Sequence, residues 1–277
     1  MGCTCGKGIL EQVRGIFMET EKDEFAHVLD MWKDENNMPW GRLRYSTARM
    51  NIARHISKDR ILRILDVGGG DGMDAIYYAK SGHDVTITDC SPIMLAEAEK
   101  SAVKQGVAGK LKIYQTEPDI VADFYDERPF DLILCHMMIE FVPDARVFLS
   151  SICKLLKPGG LLSLIDTNRY SDVYMKSFQM NNLRDALEVL GAKEYFHPWV
   201  NRLTPRFSAD ELIDQLRDYH CALVKHYGIL NICAYLPNEP KFEVQYFSEL
   251  EKLEYQLTDR YPYYLLARYF QVIAQKN

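Results

Sequence analysis

The sequence lacks long apolar runs, an excess of positive charge and regularly spaced cysteine pairs. No apolar run approaches the ~20 residues that a membrane-spanning helix needs, so we do not expect an integral membrane protein or a membrane partner. The first ten residues, MGCTCGKGIL, contain no apolar core of a secretory signal, and we therefore expect a cytoplasmic protein.

Positive charge is not in excess either. The net charge is −6, from 33 Lys and Arg residues against 39 Asp and Glu residues. A protein with this balance has no overall basic field to attract nucleic-acid phosphates, although a local basic patch stays possible.

Cysteines are few and odd in number, and most lie inside apolar runs, which is typical of reduced, packed thiols rather than disulfides. The seven are Cys3, Cys5, Cys90, Cys135, Cys153, Cys221 and Cys233. Only Cys3 and Cys5 are close, and no second pair follows them, so we predict no metal site. An N-terminal acylation signal is not expected, because Gly6 stands where that signal needs Ser or Thr.

Strands and helices alternate in the central part of the chain. This alternation predicts an α/β fold with a doubly wound, mostly parallel seven-stranded sheet, N-terminal helices and a helical insertion. The predicted strands cover 63–67, 84–88, 111–115, 130–135, 161–166, 223–234 and 269–274, and the predicted helices 46–58, 73–80, 91–105, 145–156, 208–217 and 242–257.

The sequence predicts one domain, 1–277, without repeats or linkers. Its parts are an N-terminal helical cap (1–58), a ligand-binding core (61–166), a helical, irregular insertion (167–207) and the C-terminal part of the sheet (208–277). In the cap, Phe17, Phe25, Val28, Leu29 and Trp32 have helix-like spacing, and Met38-Pro39-Trp40-Gly41 predicts a turn. Lys157-Pro158-Gly159-Gly160 is expected to close a helix.

The first predicted strand ends in a glycine-rich turn, Asp66-Val67-Gly68-Gly69-Gly70-Asp71-Gly72. Glycines let the backbone approach a ligand, and the helix that follows directs its first amides at the same place. Asp89, about 20 residues on at the end of the second strand, is the expected acceptor for ribose hydroxyls. The turn does not fit the G-x-G-x-x-G dinucleotide pattern, because Met73 stands at the last glycine position, so an NAD-dependent oxidoreductase is disfavoured.

These segments together resemble the class I S-adenosylmethionine-dependent methyltransferases. The likeness consists of LDVGGGDG (65–72), Asp89 in TDCSPIML, FDLILCHMMIEFV (130–142) and LLKPGGLLSL (155–164). It implies a Rossmann-like methyltransferase fold, an enzyme and S-adenosyl-L-methionine as cofactor. A partner subunit that binds the cofactor without catalysis is the alternative from another class.

Within that family the chain is most similar to the bacterial tRNA 5-carboxymethoxyuridine methyltransferases, which esterify the carboxyl group of a modified wobble uridine. WGRLRY (40–45), the glycine turn, residues 135–142 and the tail ELEKLEYQLTDRYPYYLLARYFQVIAQK (249–276) carry this likeness. That subgroup has a lysine run in the insertion, whereas GAKEYFHPWVNRLTPRF (191–207) has only scattered Lys193, Arg202 and Arg206. A tRNA and a small-molecule acceptor are therefore both open.

The resemblance implies a set of site residues. Gly68 and Gly69 would contact the amino-acid part of the cofactor, Arg44 would pair with its carboxylate, and Asp89 would hold its ribose. Thr116 and Glu117 would border the adenine, and His136 would face the methyl group. The full predicted cofactor set is Arg44, Asp66, Gly68, Gly69, Gly70, Asp89, Cys90, Thr116, Glu117 and His136.

The chemistry of the acceptor decides whether a base is needed. A carboxylate, whose ordinary pKa is about 4, is already ionised at pH 7, whereas a hydroxyl or an amine acceptor needs a general base. His136 is the predicted catalytic residue, either as that base or as a group that positions the acceptor. Tyr261, Tyr263, Tyr264 and Tyr269 either close over the acceptor or pack between strands, and Arg202, Arg206, Arg260 and Arg268 are candidates to bind its anionic group.

Overall fold

The computed structural model describes residues 28–57, 59–118 and 129–277. The predictions for Cys3, Cys5, Phe17 and Phe25 lie outside these residues. No helix within the described ranges has the length and apolar character needed to cross a bilayer.

Seven strands of the described chain form one sheet, and two more form a hairpin. The strands are β1 (Arg63–Val67), β2 (Asp84–Asp89), β3 (Leu111–Gln115), β4 (Phe130–His136), β5 (Leu156–Thr167), β6 (Glu194–His197), β7 (Arg202–Pro205), β8 (Cys221–Ile229) and β9 (Tyr269–Lys276). The sheet order is β3-β2-β1-β4-β5-β9-β8, and β6 and β7 form the separate hairpin. Neighbouring strands of the sheet are parallel except that β9 runs antiparallel to β5 and β8. The predicted mostly parallel seven-stranded sheet is confirmed.

Helices cover both faces of the sheet, and two short helices lie in the insertion. The α-helices of the described residues are α1 (Leu29–Asn37), α2 (Pro39–Ala53), α3 (Met73–Lys80), α4 (Pro92–Lys104), α5 (Ala145–Lys154), α6 (Ser171–Tyr174), α7 (Leu183–Glu188), α8 (Ala209–Asp218) and α9 (Val244–Leu257). Successive side chains of a strand point to opposite faces, and β1 shows this directly. Leu65 and Val67 pack with α5 and α8, whereas Ile64 packs with α3 and α4.

Several helices begin where the sequence provides a capping side chain. The Ser91 hydroxyl accepts from the Met94 amide at 3.2 Å, and Pro92 follows it at the first helical position. Ser208 and Glu211 form the predicted capping box of α8. These caps satisfy amides that the helix itself leaves without partners.

Four local predictions were wrong. The strand predicted at 223–234 ends at Ile229, and Cys233–Tyr235 form a 3₁₀ helix. Pro39–Gly41 is the first turn of α2 rather than a break, because proline is favoured at the first helical position. Lys157–Gly160 lies inside β5, which already begins at Leu156. The insertion is not only helical and irregular, since β6 and β7 pair within it.

Helix α2 is tied to the sheet by buried hydrogen bonds between side chains. The Asn51 amide donates at 2.9 Å both to Oε1 of Gln271 on β9 and to Oγ1 of Thr258. Gln271 donates in turn to Oγ of Ser163 on β5 at 3.0 Å. All four side chains are fully buried. This network fixes the position of α2, which carries residues of the site described below.

We expect the substitution Gln271→Met to destabilise the fold. Asn51 and Ser163 lose a hydrogen-bond partner in a place that water does not reach, and a buried unsatisfied group costs about 1–3 kcal/mol. Urea unfolding would measure this loss. The matched control is Gln275→Met on the same strand, where the side chain is exposed. Equal unfolding free energies for the two variants would contradict the stabilising role of the network.

Candidate functional site

A cavity of about 620 Å³ opens at the carboxyl ends of the central strands. Val67, Thr88 and Thr167 mark the ends of β1, β2 and β5 in its wall. The strand order reverses between β1 and β4, and in open α/β sheets ligands bind at such a reversal. Helices α1 and α2 and the β6–β7 hairpin complete the wall.

The glycine turn forms the floor of one half of this cavity. Gly68 and Gly70 line it with φ angles of +66° and +54°, a region that favours glycine. A Cβ on Gly68 would lie 2.5 Å from Sδ of Met138, and one on Gly69 2.7 Å from Cγ1 of Ile87. Side chains at Gly68 and Gly69 would therefore force their neighbours to move, and with glycines at these positions a ligand can approach the backbone closely.

Asp89 lies beside this turn, at the end of β2. Its Oδ2 accepts from the Gly70 amide and its Oδ1 from the Ser91 amide, both at 2.9 Å. These hydrogen bonds fix the carboxylate in the cavity wall, where it can accept hydrogen bonds from the hydroxyl groups of a ligand. Cys90, Thr116 and Glu117 line the same half. We call this part the cofactor half.

Asp66 lies behind the glycine turn and is not part of the cavity wall. It is 3% exposed, and its Oδ2 accepts from the Ala75 amide at 3.1 Å. Burial, together with the nearby charge of Asp74, raises the pKa of Asp66 well above its ordinary value. Asp66 therefore supports the turn and the start of α3, and it does not offer a charge to a ligand. Gly69 also lies outside the lining.

His136 is the main departure from the predicted site. Its Nδ1 lies 2.9 Å from Oδ2 of Asp74, and its Nε2 lies 2.9 Å from Oγ of Ser163. Because Gln271 donates to that same hydroxyl oxygen, Ser163 can donate to Nε2, which puts the ring proton on Nδ1 facing Asp74. Both ring nitrogens are thus engaged below the cavity, and His136 is not part of its lining. The expectation that it faces the methyl group is not supported by this geometry.

Arg44 lies in the wall between the two halves, on α2. Its side chain is buried and donates from Nη2 to Oδ1 of Asn36 at 2.9 Å. Its guanidinium carbon is 4.3 Å from the ring centre of Tyr45 and 5.9 Å from that of Tyr269. A planar guanidinium held in this way suits bidentate binding of a carboxylate.

The β6–β7 hairpin covers the other half of the cavity with aromatic rings. Tyr195, His197 and Trp199, which alternate along the chain, line the cavity, whereas Phe196 between them is 54% exposed. The ring centre of Trp199 is 5.9 Å from that of Trp32, which joins the hairpin to α1. We call Trp32, Phe141, Tyr195, His197 and Trp199 the aromatic roof, and the part of the cavity below it the acceptor half.

Arginines are concentrated in the wall of the acceptor half. Arg206 pairs with Glu140 in the interior and lies 3.5 Å from Asp172. Arg268 donates to Oδ1 of Asp172 at 2.8 Å, and Arg202 donates to the carbonyl of Phe141 at 3.2 Å. These contacts hold three guanidinium groups around one small volume.

A buried carboxyl group lies next to these arginines. Burial is the main cause that raises the pKa of Asp166 well above its ordinary value, and the neighbouring Glu140 carboxylate adds to the effect. The raised pKa favours the uncharged form of Asp166, which limits the negative charge beside the arginines.

The structure brings together only part of the predicted acceptor set. Arg202, Arg206, Arg268 and Tyr269 line the cavity, whereas Arg260 does not. Tyr261 and Tyr263 are 72% and 51% exposed, and Tyr264 packs on His226 with ring centres 4.7 Å apart. The lining residues that were not predicted from the sequence are Trp32, Glu140, Tyr195, His197 and Trp199. For the last three, their alternation along the chain was the available sequence signal.

Comparison with known proteins agrees with the family resemblance seen in the sequence. The model of a family described as "Methyltransferase domain" matches residues 32–226. The tRNA 5-carboxymethoxyuridine methyltransferase of Escherichia coli K12 is 29% identical over 245 residues, which cover 85% of this chain and 89% of that protein. The ubiquinone biosynthesis O-methyltransferase of Xanthomonas oryzae pv. oryzae is 30% identical over 199 residues, 69% of this chain and 72% of that protein.

Solved structures show the same fold. A possible histamine N-methyltransferase from Thermotoga maritima superposes with a TM-score of 0.60 at 15% identity, covering 92% of this chain and 99% of that one. The 1,6-didemethyltoxoflavin-N1-methyltransferase of Burkholderia thailandensis, solved with S-adenosylhomocysteine, gives a TM-score of 0.55 at 18% identity, covering 100% and 92%.

We expect Asp89→Asn to weaken binding of S-adenosylhomocysteine at least about tenfold, because a charge-assisted hydrogen bond contributes about 1.5–3 kcal/mol. Isothermal titration calorimetry would measure the change. The control is Asp84→Asn at the other end of β2, where the carboxylate is exposed and pairs only loosely with Lys110. If both variants bind as tightly as the unmodified protein, Asp89 does not hold the ligand.

Proposed function

The chain belongs to the methyltransferase-domain family and is an S-adenosylmethionine-dependent enzyme, and on that premise we propose that it methylates a carboxylate attached to a planar ring. The acceptor that fits best is 5-carboxymethoxyuridine at the wobble position of a tRNA. The observation that carries this proposal is the acceptor half, where arginines lie beneath an aromatic roof.

The residues of the cofactor half fit the proposed ligand. A turn in which Gly68 has no room for a Cβ gives access to the backbone, and Asp89 presents a fixed carboxylate for ribose hydroxyls. Thr116 and Glu117 would border the adenine, and Arg44 would pair with the methionine carboxylate. When bound, S-adenosylmethionine supplies an electrophilic methyl group on a sulfonium leaving group.

The acceptor half supports an anionic substrate. Arg202, Arg206 and Arg268 line it, and Arg206 pairs with Glu140 while Arg268 pairs with Asp172. A substrate carboxylate could accept hydrogen bonds from these guanidinium groups.

The aromatic roof supports a planar substrate. Trp32, Trp199 and Phe141 offer apolar ring surface, and the guanidinium carbon of Arg206 lies 4.3 Å from the ring centre of Tyr195. Bases that are turned out of a nucleic-acid strand bind to proteins by stacking on such rings. The roof and the arginines together fit a molecule that is flat at one end and negatively charged at the other.

A carboxylate acceptor also fits the absence of His136 from the cavity. A carboxylate is ionised at neutral pH, so the protein has only to align its oxygen with the methyl group and the sulfur, with reacting atoms ~3–3.5 Å apart. No proton has to be removed in this step. The side chains of the acceptor half therefore act by binding and orienting the acceptor.

A small molecule with a hydroxyl group is the second candidate acceptor. The observation that favours it is His197, an imidazole in the wall of the acceptor half that could serve as a general base. The relative from Xanthomonas oryzae, named for O-methylation in ubiquinone biosynthesis, is consistent with this candidate.

The proposal is tested by transfer of labelled methyl from S-adenosylmethionine to tRNA that carries 5-carboxymethoxyuridine. We expect incorporation that mild base releases, as it does from a methyl ester. The matched control is the same tRNA with unmodified wobble uridine. Incorporation only into the small-molecule fraction of a cell extract would overturn the tRNA proposal and support the second candidate.

We expect Arg202→Gln to lower kcat/KM for the carboxylate acceptor about tenfold, because a charged hydrogen-bond donor is replaced by a neutral one. The affinity for S-adenosylhomocysteine should stay unchanged, since Arg202 lies in the acceptor half. The control is Arg217→Gln on α8, an exposed arginine that pairs with Asp214. A parallel loss of cofactor affinity would mean that Arg202 acts on the whole cavity rather than on the acceptor.

A further inference from the structure

Three features mark His197 as a residue that can contact the acceptor, and Trp32, whose Nε1 is also buried without a partner among the described residues, shares them. His197 lines the cavity, it belongs to the aromatic roof, and its Nδ1 has no hydrogen-bond partner within the part of the chain that the structure describes. That nitrogen is also shielded from solvent. A buried polar atom without a partner is unfavourable, and at a binding site a ligand can supply that partner.

The position of the His197 ring is fixed by its neighbours. The ring centre lies 5.2 Å from that of Phe141 and 5.7 Å from that of Trp199. In the hairpin, His197 pairs with Arg202, which is bound to the carbonyl of Phe141. The ring therefore has a defined orientation before any acceptor binds.

The charges around His197 favour its uncharged form. Burial is the main cause that lowers its pKa below the ordinary value, and the positive charges of Arg206 and Arg202 act in the same direction. The Glu140 carboxylate opposes them but is paired with Arg206. A neutral imidazole offers one nitrogen that donates and one that accepts a hydrogen bond.

We propose that His197 determines acceptor specificity by forming a hydrogen bond with a polar group on the edge of the acceptor ring. This inference rests on the proposed planar acceptor and adds a contact that stacking alone does not provide. A uracil edge, with its carbonyl oxygens and N–H group, could satisfy either nitrogen of the imidazole. The hydrogen bond orients the ring in its plane, while the roof fixes only the plane itself.

The test compares His197→Phe with His197→Asn. Phenylalanine keeps the ring contacts with Phe141 and Trp199 but removes the hydrogen bond, whereas the asparagine amide restores a polar group near Nδ1. We expect His197→Phe to raise KM for 5-carboxymethoxyuridine tRNA about tenfold with kcat within about threefold, and His197→Asn to recover most of the loss. The control is Phe196→Leu on the outward face of the same strand.

A second readout is the pH dependence of KM. Protonation of His197 removes its accepting nitrogen, so KM of the unmodified enzyme should rise in acid. Because the pKa of His197 is lowered, the rise should come at a pH below the ordinary histidine pKa of about 6.5. KM of His197→Asn should not show this rise. Affinity for S-adenosylhomocysteine should be the same in all variants, which excludes a general collapse of the cavity.

Two results would overturn the inference. One is an unchanged KM in His197→Phe; the other is a large loss of kcat with unchanged KM and a lost acidic limb of the pH–rate profile, which identifies a general base. The proposed function is judged separately, by whether the unmodified enzyme esterifies this tRNA. If it labels a different acceptor in a cell extract, the same variants are compared on that labelled fraction.

Discussion

The hydrogen bond between His136 and Asp74 is the contact on which the geometry of the cavity depends. Burial opposes the charge of Asp74, but the hydrogen bond from His136 and the adjacent Arg49 hold its pKa at about 2. From His136 the chain of hydrogen bonds continues through Ser163 and Gln271 to Asn51. It thereby joins the helix that follows the glycine turn, three strands and the helix that carries Arg44. The cofactor half and its wall are thus held in one arrangement by polar groups that lie outside the lining of the cavity.

The two halves of the cavity differ in the charge of the side chains that line them. Asp89 and Glu117 lie at the end suited to a ribose and an adenine, while Arg202, Arg206 and Arg268 lie at the other. A guanidinium group that is taken out of water needs a carboxylate partner, and Glu140 and Asp172 fulfil this need. Burial and the Glu140 carboxylate raise the pKa of Asp166, which disfavours a further negative charge beside these arginines.

The sequence was sufficient to predict the sheet, because its central strands are apolar on both faces and the glycine turn marks the end of β1. The aromatic roof could not be predicted, because Trp199 contacts Trp32, a residue far away from it in the sequence. His136 was correctly placed at the end of β4, but its direction depends on Asp74, which only the folded structure brings beside it. Pro39 fits both a turn and the first turn of a helix, and the packing of α2 on the sheet decides between them.

The two halves of the cavity are built from different elements, and this separation explains why overall similarity does not identify the acceptor. The cofactor half is formed by the turns after β1, β2 and β3, whereas the roof is contributed by α1, the turn after β4 and the β6–β7 hairpin. Relatives of nearly equal identity, 29% and 30%, are named for a tRNA nucleoside and for ubiquinone biosynthesis. We infer that the acceptor is set by the side chains of the acceptor half rather than by the fold or the cofactor half. In this chain those side chains are a neutral imidazole, aromatic rings and arginines, a combination that matches a flat, hydrogen-bonding and negatively charged molecule.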